Sequence, residues 1–252
     1  MLAAERMTKI IEIVDSKGIV TVKELSSLLN ASLMTIRRDL TRLEQRNMIQ
    51  RTHGGVISMK YNRDTSYINR SHLDIDEKTE IGRTAAGLVE EGEVIFLGSG
   101  TTVAHMAPFL VHKVGITAVT PSFQIINDLV NEQGITLIFL GGIVKSDTYS
   151  TVGQTVEKEL SNYHFHKAFI GASGIMVEKG VFNSDFLISS EEKVILGKAE
   201  KIFILADHSK FEKSALIHFC TFDQISGIIT DSKIPERLVK SCQAIGVEIF
   251  KS

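Results

Sequence analysis

The chain has 252 residues, 28 of them basic and 30 acidic, for a formal net charge of −2. That length exceeds one ordinary domain and suits a small module joined to a larger one with its own core. No apolar run approaches the roughly 20 residues of a bilayer span, and the N-terminus lacks the apolar core of a secretory leader, so a cytoplasmic location is expected.

Met7, Ile10, Ile11 and Val14 fall at helical spacing, predicting a first helix over residues 3–16 with Arg6, Lys9 and Glu12 on its exposed side. Thr21 and Glu24 form a capping-box pattern for a second helix, whose inward positions are Val22, Leu25, Leu28 and Leu29. Asn30 suits the turn. Ser32 is the expected N-cap of a third helix, with Ile36, Leu40 and Leu43 inward and Thr35, Arg37, Arg38 and Arg42 turned toward a partner. Residues 48–56 then read as a β-hairpin turning on Gly54 and Gly55, a wing that adds Arg51 and His53. This order of parts is that of a winged helix-turn-helix reading double-stranded DNA through its third helix. The alternative is a three-helix bundle with an ordinary solvated charged face. Residues 1–57 carry a net +3 and the remainder −5, so only the first part favours phosphate.

Residues 5–56 resemble the N-terminal domain of DeoR-type bacterial transcriptional repressors. Its TIRRDL core is matched at 35–40 and its R-x-HGG turn at Arg51, His53, Gly54 and Gly55, although Asn47 stands where the family usually has glycine. The resemblance implies a repressor bound to operator DNA through Ser32, Thr35, Arg37, Arg38, Arg42, Arg51 and His53.

The expected divisions are 1–57 for DNA binding, a polar linker at 58–77 and an effector-sensing α/β domain at 78–252. Within the linker, Tyr67, Ile68 and Arg70 resemble a short family element, so Arg70, with Lys78, is a candidate for effector binding or coupling. A helix is predicted over 78–90. Short apolar runs at 94–97, 116–120, 136–140, 168–171, 202–206 and 225–230 follow. Segments with helical character at 122–132, 155–162, 190–199 and 236–244 separate most of them. The fold class is therefore α/β: after the winged helix-turn-helix comes a mostly parallel sheet with helices on both faces. Ligands of such sheets sit at the carboxyl ends of the strands.

The loop Gly98-Ser99-Gly100-Thr101-Thr102 leaves an apolar strand and opens a helix near Val103, so its amides and hydroxyls suit a phosphate. A tight steric turn is the simpler reading. Lys210, after the 202–206 strand, suits the same anion or pairs with Asp207. Together with Leu140-Gly141-Gly142, residues 150–153 and residues 168–175, these motifs resemble the DeoR-type sensor domain, which is similar in fold to ribose-phosphate isomerases. The resemblance implies a phosphorylated sugar or related effector held by Ser99, Gly100, Thr101, Thr102, Ser122, Asp207 and Lys210. Gly98, Pro121 and His166 depart from the family pattern, and the loss of acidic residues at 98 and 166 argues against the alternative of a sugar-phosphate isomerase or deaminase with a DNA-binding appendage. No cofactor or metal is expected, Cys220 and Cys242 read as packed thiols, and a homo-oligomer, dimer or tetramer, is expected to meet the two halves of an operator.

Overall fold

The computed structural model describes residues 3–17, 19–46, 48–51, 55–58 and 67–252. The chain divides into two compact units, Met1–Asn69 and Arg70–Ser252.

The first unit runs α1 (Ala3–Lys17), β1 (Ile19–Thr21), α2 (Val22–Leu28), α3 (Leu33–Gln45), β2 (Ile49–Arg51) and β3 (Gly55–Ser58). Thr21 caps α2 reciprocally with Glu24: the Glu24 amide donates to Thr21 Oγ1 at 3.2 Å, and the Thr21 amide donates to Glu24 Oε2 at 2.8 Å. Asn30 takes φ 47°, the left-handed turn between α2 and α3. Ile10, Val14, Leu25, Leu29, Ile36, Leu40, Leu43, Ile49 and Val56 make the core. The three strands pair antiparallel in the order β1-β3-β2. Gly55 is required there, because a Cβ would stand 2.4 Å from the Val20 carbonyl oxygen.

Two positions differ from expectation. Leu28 is 55% exposed, since α2 ends there and Leu29, one turn beyond Leu25, takes the core position. Arg6 is not a solvent-facing residue of α1. Asp39 falls on the inward stripe of α3 with Ile36, Leu40 and Leu43, and a buried carboxylate needs a partner. Arg6 Nε supplies it at 2.6 Å.

The second unit begins with the C-terminal end of α4 (Tyr67–Ser71), followed by α5 (Ile75–Gly87), which starts three residues before the predicted position. Its main sheet holds β4 (Val94–Leu97), β5 (Ile116–Thr120), β6 (Ile135–Phe139), β9 (Phe165–Gly171), β12 (Ala199–Leu205), β14 (Gly227–Thr230) and β15 (Ile249–Lys251). All neighbours are parallel. Not anticipated were the hairpin β7 (Ile143–Lys145) and β8 (Ser150–Val152), strand β15, and a small antiparallel sheet of β10 (Gly174–Met176), β11 (Gly180–Asn183) and β13 (Ile217–Cys220).

Alternate residues of each central strand feed two cores. Ile95, Leu97, Phe169, Phe203 and Leu205 pack with α5, α6 (Thr101–Ala104), α7 (Ala107–Leu110) and α8 (Phe123–Leu129). Phe96, Ala168, Ile170, Ile202 and Ile204 pack with α9 (Gln154–Leu160), α10 (Phe186–Leu196) and α11 (Glu236–Ala244). The sheet is covered on both faces, each fully buried Leu, Ile or Phe stabilising by about 1.5–3 kcal/mol. Both cysteines are buried in the second core. The α10 helix replaces the expected 190–199 segment, because the Asp185 carboxylate caps the amides of Leu187 and Ile188 and the helix stops at Gly197.

The strand order is β15-β14-β12-β9-β4-β5-β6. From β4 the chain builds outward to β6, and from β9 it builds the other way, so the sheet switches direction between β4 and β9. The loops leaving these strands diverge there and open a crevice.

Candidate functional site

On the first unit the surface of interest is α3. Ser32 Oγ accepts from the Thr35 amide at 3.2 Å and lies 2.9 Å from Thr35 Oγ1, which fixes the helix start. Burying Ile36, Asp39, Leu40 and Leu43 leaves Arg37, Arg38 and Arg42 exposed. Among the described residues none of these three arginines forms an ion pair. Leu33 and Met34 add exposed apolar surface at 43% and 67%. The backbone of Arg51 closes β2, while its side chain and all of His53 lie outside the described residues, as does Asn47.

On the second unit a cleft opens at the switch point. The β4 loop contributes Ser99, Gly100, Thr101 and Thr102, the β9 loop Gly171, Ala172 and Ser173, β11 its last residue Asn183, and α10 Ile188 and Glu192; Lys210, Arg70, Leu73 and Lys78 complete the lining. The two loops touch, since a Cβ on Gly100 would meet Gly171 Cα at 3.5 Å. Ser99, Thr101 and Thr102 are nearly enclosed. The helix they open begins at Thr101, earlier than the expected Val103, and has only four residues. Its small dipole adds little, so amides and hydroxyls are what it offers an anion.

Three cations border this cleft. Lys210 Nζ stands 3.9 Å from Asp207 Oδ2, too far for a hydrogen bond, and is partly exposed. Asp207 is fully buried, and its other oxygen accepts from the Ser209 amide at 2.9 Å. Lys78 Nζ donates to the Arg70 carbonyl at 2.5 Å and to that of Leu73. Burial pulls the Lys78 ammonium below its ordinary pKa, and the Asp207 charge offsets part of that fall. Arg70 is the third cation.

The remaining wall was not read from the sequence. Asn183 Nδ2 donates to both oxygens of Glu192 at 2.9 and 3.1 Å, and Asn183 Oδ1 accepts from Ser173 Oγ at 3.4 Å. Burial pushes the Glu192 carboxyl well above the usual carboxylate range, against the Asn183 hydrogen bond. Glu191 is raised to about 8, chiefly by burial, while the Gly153 amide donating at 2.9 Å opposes the shift. Two adjacent glutamates, Glu191 and Glu192, in the middle of a helix with apolar ends were the available signal.

Residues 6–62 match the DeoR-like helix-turn-helix domain, and residues 73–232 match the DeoR C-terminal sensor domain. The chain belongs to the DeoR family. Its relatives include the HTH-type transcriptional regulator IolR of Bacillus subtilis, 33% identical over 97% of this chain and 98% of that protein. The lactose phosphotransferase system repressor of Streptococcus mutans is 34% identical over 95% and 96%. The L-fucose operon activator of Haemophilus influenzae is 32% identical over 93% and 94%. A solved ribose 5-phosphate isomerase A of Methanocaldococcus jannaschii overlaps 55% of each chain at TM-score 0.41 and 22% identity, too loose a likeness to carry an argument.

The DeoR-family pattern brings some expected residues together and leaves others apart. Ser99, Gly100, Thr101, Thr102, Lys210, Arg70 and Lys78 share the cleft; Ser122 and Asp207 do not line it. Ser122 is buried as the N-cap of α8, accepting from the Ile125 amide at 3.4 Å. Asp207 sits one layer behind Lys210. Gly98 turns toward β9, where a Cβ would meet the Phe169 carbonyl oxygen at 3.3 Å. His166 corrects an inference from its identity: it lies near the amino end of β9, five residues and about 16 Å of strand before the cleft loop. There its Nδ1 accepts from the Val94 amide at 3.0 Å, so its side chain says nothing about chemistry in the cleft. Among the described residues no cluster of three His, Cys, Asp or Glu is placed to hold a metal, and no helix is long and apolar enough to cross a membrane.

Proposed function

We propose that this DeoR-family chain represses an operon of carbohydrate metabolism and leaves its operator when a phosphorylated sugar or related metabolite occupies the cleft. The observation that carries the DNA reading is the exposed row Arg37, Arg38 and Arg42, without ion pairs among the described residues, on a helix whose opposite face is buried in the core. Arginine forks match guanine edges and phosphates, and Leu33 and Met34 suit thymine methyls. Ser32 and Thr35 at the helix start, with Arg51 and His53 in the wing, complete the proposed surface. A homo-oligomer in the cytoplasm would present two such helices to half-sites about 34 Å apart.

For the effector, the β4 loop with Lys210 supplies amides, hydroxyls and a loosely paired ammonium around one point, the elements an anion needs. Arg70 and Lys78 extend this positive border. That one relative is a repressor supports the regulatory sign, and that another is an activator makes the sign worth testing. Gel-shift titration on the DNA upstream of the chain's own gene, with and without hits from a thermal-shift screen of sugar phosphates, tests both halves. Release on adding the hit supports the proposal; tighter binding reverses the sign.

One observation favours an enzymatic reading: Glu192 is the one carboxyl lining the cleft among the described residues, and proton transfer on a sugar needs a carboxylate base. Burial pushes that carboxyl well above the usual carboxylate range, which disfavours the ionised form a base needs. The cleft is therefore proposed to sense, not to turn over; sustained conversion of ribose 5-phosphate or glucosamine 6-phosphate would restore the enzyme.

A further inference from the structure

We infer that the free edge of β6, with the β7–β8 hairpin that follows it, is the surface through which two copies of this chain pair, β6 against β6, antiparallel about a twofold axis. The inference rests on the homo-oligomer proposed above and specifies which face makes it.

The main sheet has two edges, β6 and β15. A free edge presents unpaired backbone N–H and C=O groups, and proteins that keep an edge in water blunt it with charges, proline or shortness. The β15 edge follows that rule: it has three residues, one of them Lys251, which donates to Glu236 at 2.8 Å. The β6 edge does not. It is five residues long and reads Ile-Thr-Leu-Ile-Phe. Residues 135–144, ITLIFLGGIV, contain no charged side chain and no proline.

The hairpin adds apolar surface. Ile143 and Val144 are consecutive on β7, so their side chains leave opposite faces of the strand, and they are 68% and 67% exposed. The β7 strand pairs only with β8, and a two-stranded sheet is marginal in water without a covering layer. The Phe123 ring lies 5.2 Å from that of Phe139 and 5.6 Å from that of Tyr149, which joins the end of β6 to the turn of the hairpin. Phe139 and Tyr149 are themselves exposed.

The occupant is a second copy because the surface is uncharged and complementary to itself. Lys145, the first charge after residues 135–144, is turned to Asp185 and Asp147. Under a twofold axis each backbone donor of an antiparallel pair meets an acceptor, the same apolar side chains cover one another, and no like charges from this stretch are brought together. A partner selected by charge finds nothing to read in it. Pairing joins the two seven-stranded sheets into one.

The test is sedimentation of the full chain, with wild type expected to form a dimer or a larger even oligomer. Ile143→Glu and Val144→Glu change side chains that already face water, so both variants should keep the wild-type circular dichroism spectrum while the dimer dissociation constant rises by about a hundredfold. Ile245→Glu, at an exposed apolar position ahead of β15, should leave assembly unchanged. Single cysteines along β6 (Ile135→Cys, Thr136→Cys, Leu137→Cys, Ile138→Cys and Phe139→Cys) test the pairing itself. The residue on the axis faces its own copy at about 4.5–5.5 Å between Cα atoms, within reach of a disulfide. One position should therefore give a covalent dimer on mild oxidation, while Ile245→Cys and the wild type, whose two cysteines are buried, give none. A dimer that withstands both glutamates and forms no β6 cross-link overturns this surface and leaves the homo-oligomer standing. Dissociation without a cross-link overturns the strand pairing, and a cross-link in a dimer indifferent to both glutamates overturns the hairpin's part. A monomeric wild type refutes the homo-oligomer itself, a different failure, and with it the second copy as occupant.

Discussion

Arg6 Nε lies 2.6 Å from Asp39 Oδ2 and ties the first helix of the chain to the inward face of α3. The Asp39 hydrogen bond raises the Arg6 pKa, so this arginine is occupied in the fold and absent from the DNA-facing set. Asp39→Ala is expected to lower the melting temperature of the first unit, and Arg6→Ala to do the same. The double variant should lose less than the two single effects added, because each single change strands the other partner. Strict additivity in thermal melts would show the pair to be incidental.

Arg38→Ala should weaken operator binding by about 1–3 kcal/mol and relax preference at one base pair if the guanidinium reads a guanine edge. A phosphate contact would instead weaken all sequences alike and reduce the salt slope by about 1. Gel shifts at several salt concentrations on matched and mismatched operators separate the two, and unchanged affinity removes Arg38 from the interface.

Lys210→Ala should leave operator binding intact while abolishing the response to the effector. The loosely paired ammonium is available to an anion, and Asp207 remains anchored by the Ser209 amide. A variant still released at the wild-type effector concentration would exclude Lys210 from the site.

Gly82 sits where α5 crosses the α6–α7 turn, and a Cβ there would fall 2.3 Å from the His105 carbonyl oxygen. Backbone cannot yield as a side-chain tip does. Gly82→Ala should therefore destabilise the second unit by about 1–3 kcal/mol despite its better helix propensity, as read by chemical denaturation.

Glu191 carries a pH dependence of definite sign. Its pKa rises from 4.5 to about 8 in the folded chain, mainly through burial. The folded pKa is the higher one, so the stability linked to this proton is complete below about 4.5 and is lost as pH rises through about 8. Melting temperatures of the second unit should fall over that window. Glu191→Gln, still able to accept from the Gly153 amide, should flatten the profile without abolishing it, because Glu192 is shifted in the same direction.

Local signals were legible, and long-range ones were not. The Thr21–Glu24 box, the Ser32 cap and the bounds of β4, β5 and α11 follow from periodicity and capping within a few residues. The parallel sheet follows from strand-helix alternation. Arg6 and Asp39 are 33 positions apart, and nothing in helical spacing joins them. Ser173, Asn183 and Glu192 meet only because the β10–β11 hairpin folds back beside α10, a geometry no short motif announces. His166 shows the opposite hazard: a family position was given chemical weight before its strand had a direction.

The strand order β1-β3-β2 makes the reading head indivisible. Its middle strand is the last of the three in sequence, yet pairs with the strand that precedes α2, and Ile49 and Val56 lie in the same core as Ile10 and Leu40. Cutting the chain after α3 would strip that core of two members and leave β1 with a bare edge. The wing is thus a wall of the house that holds the recognition helix, and no shorter fragment inherits its shape.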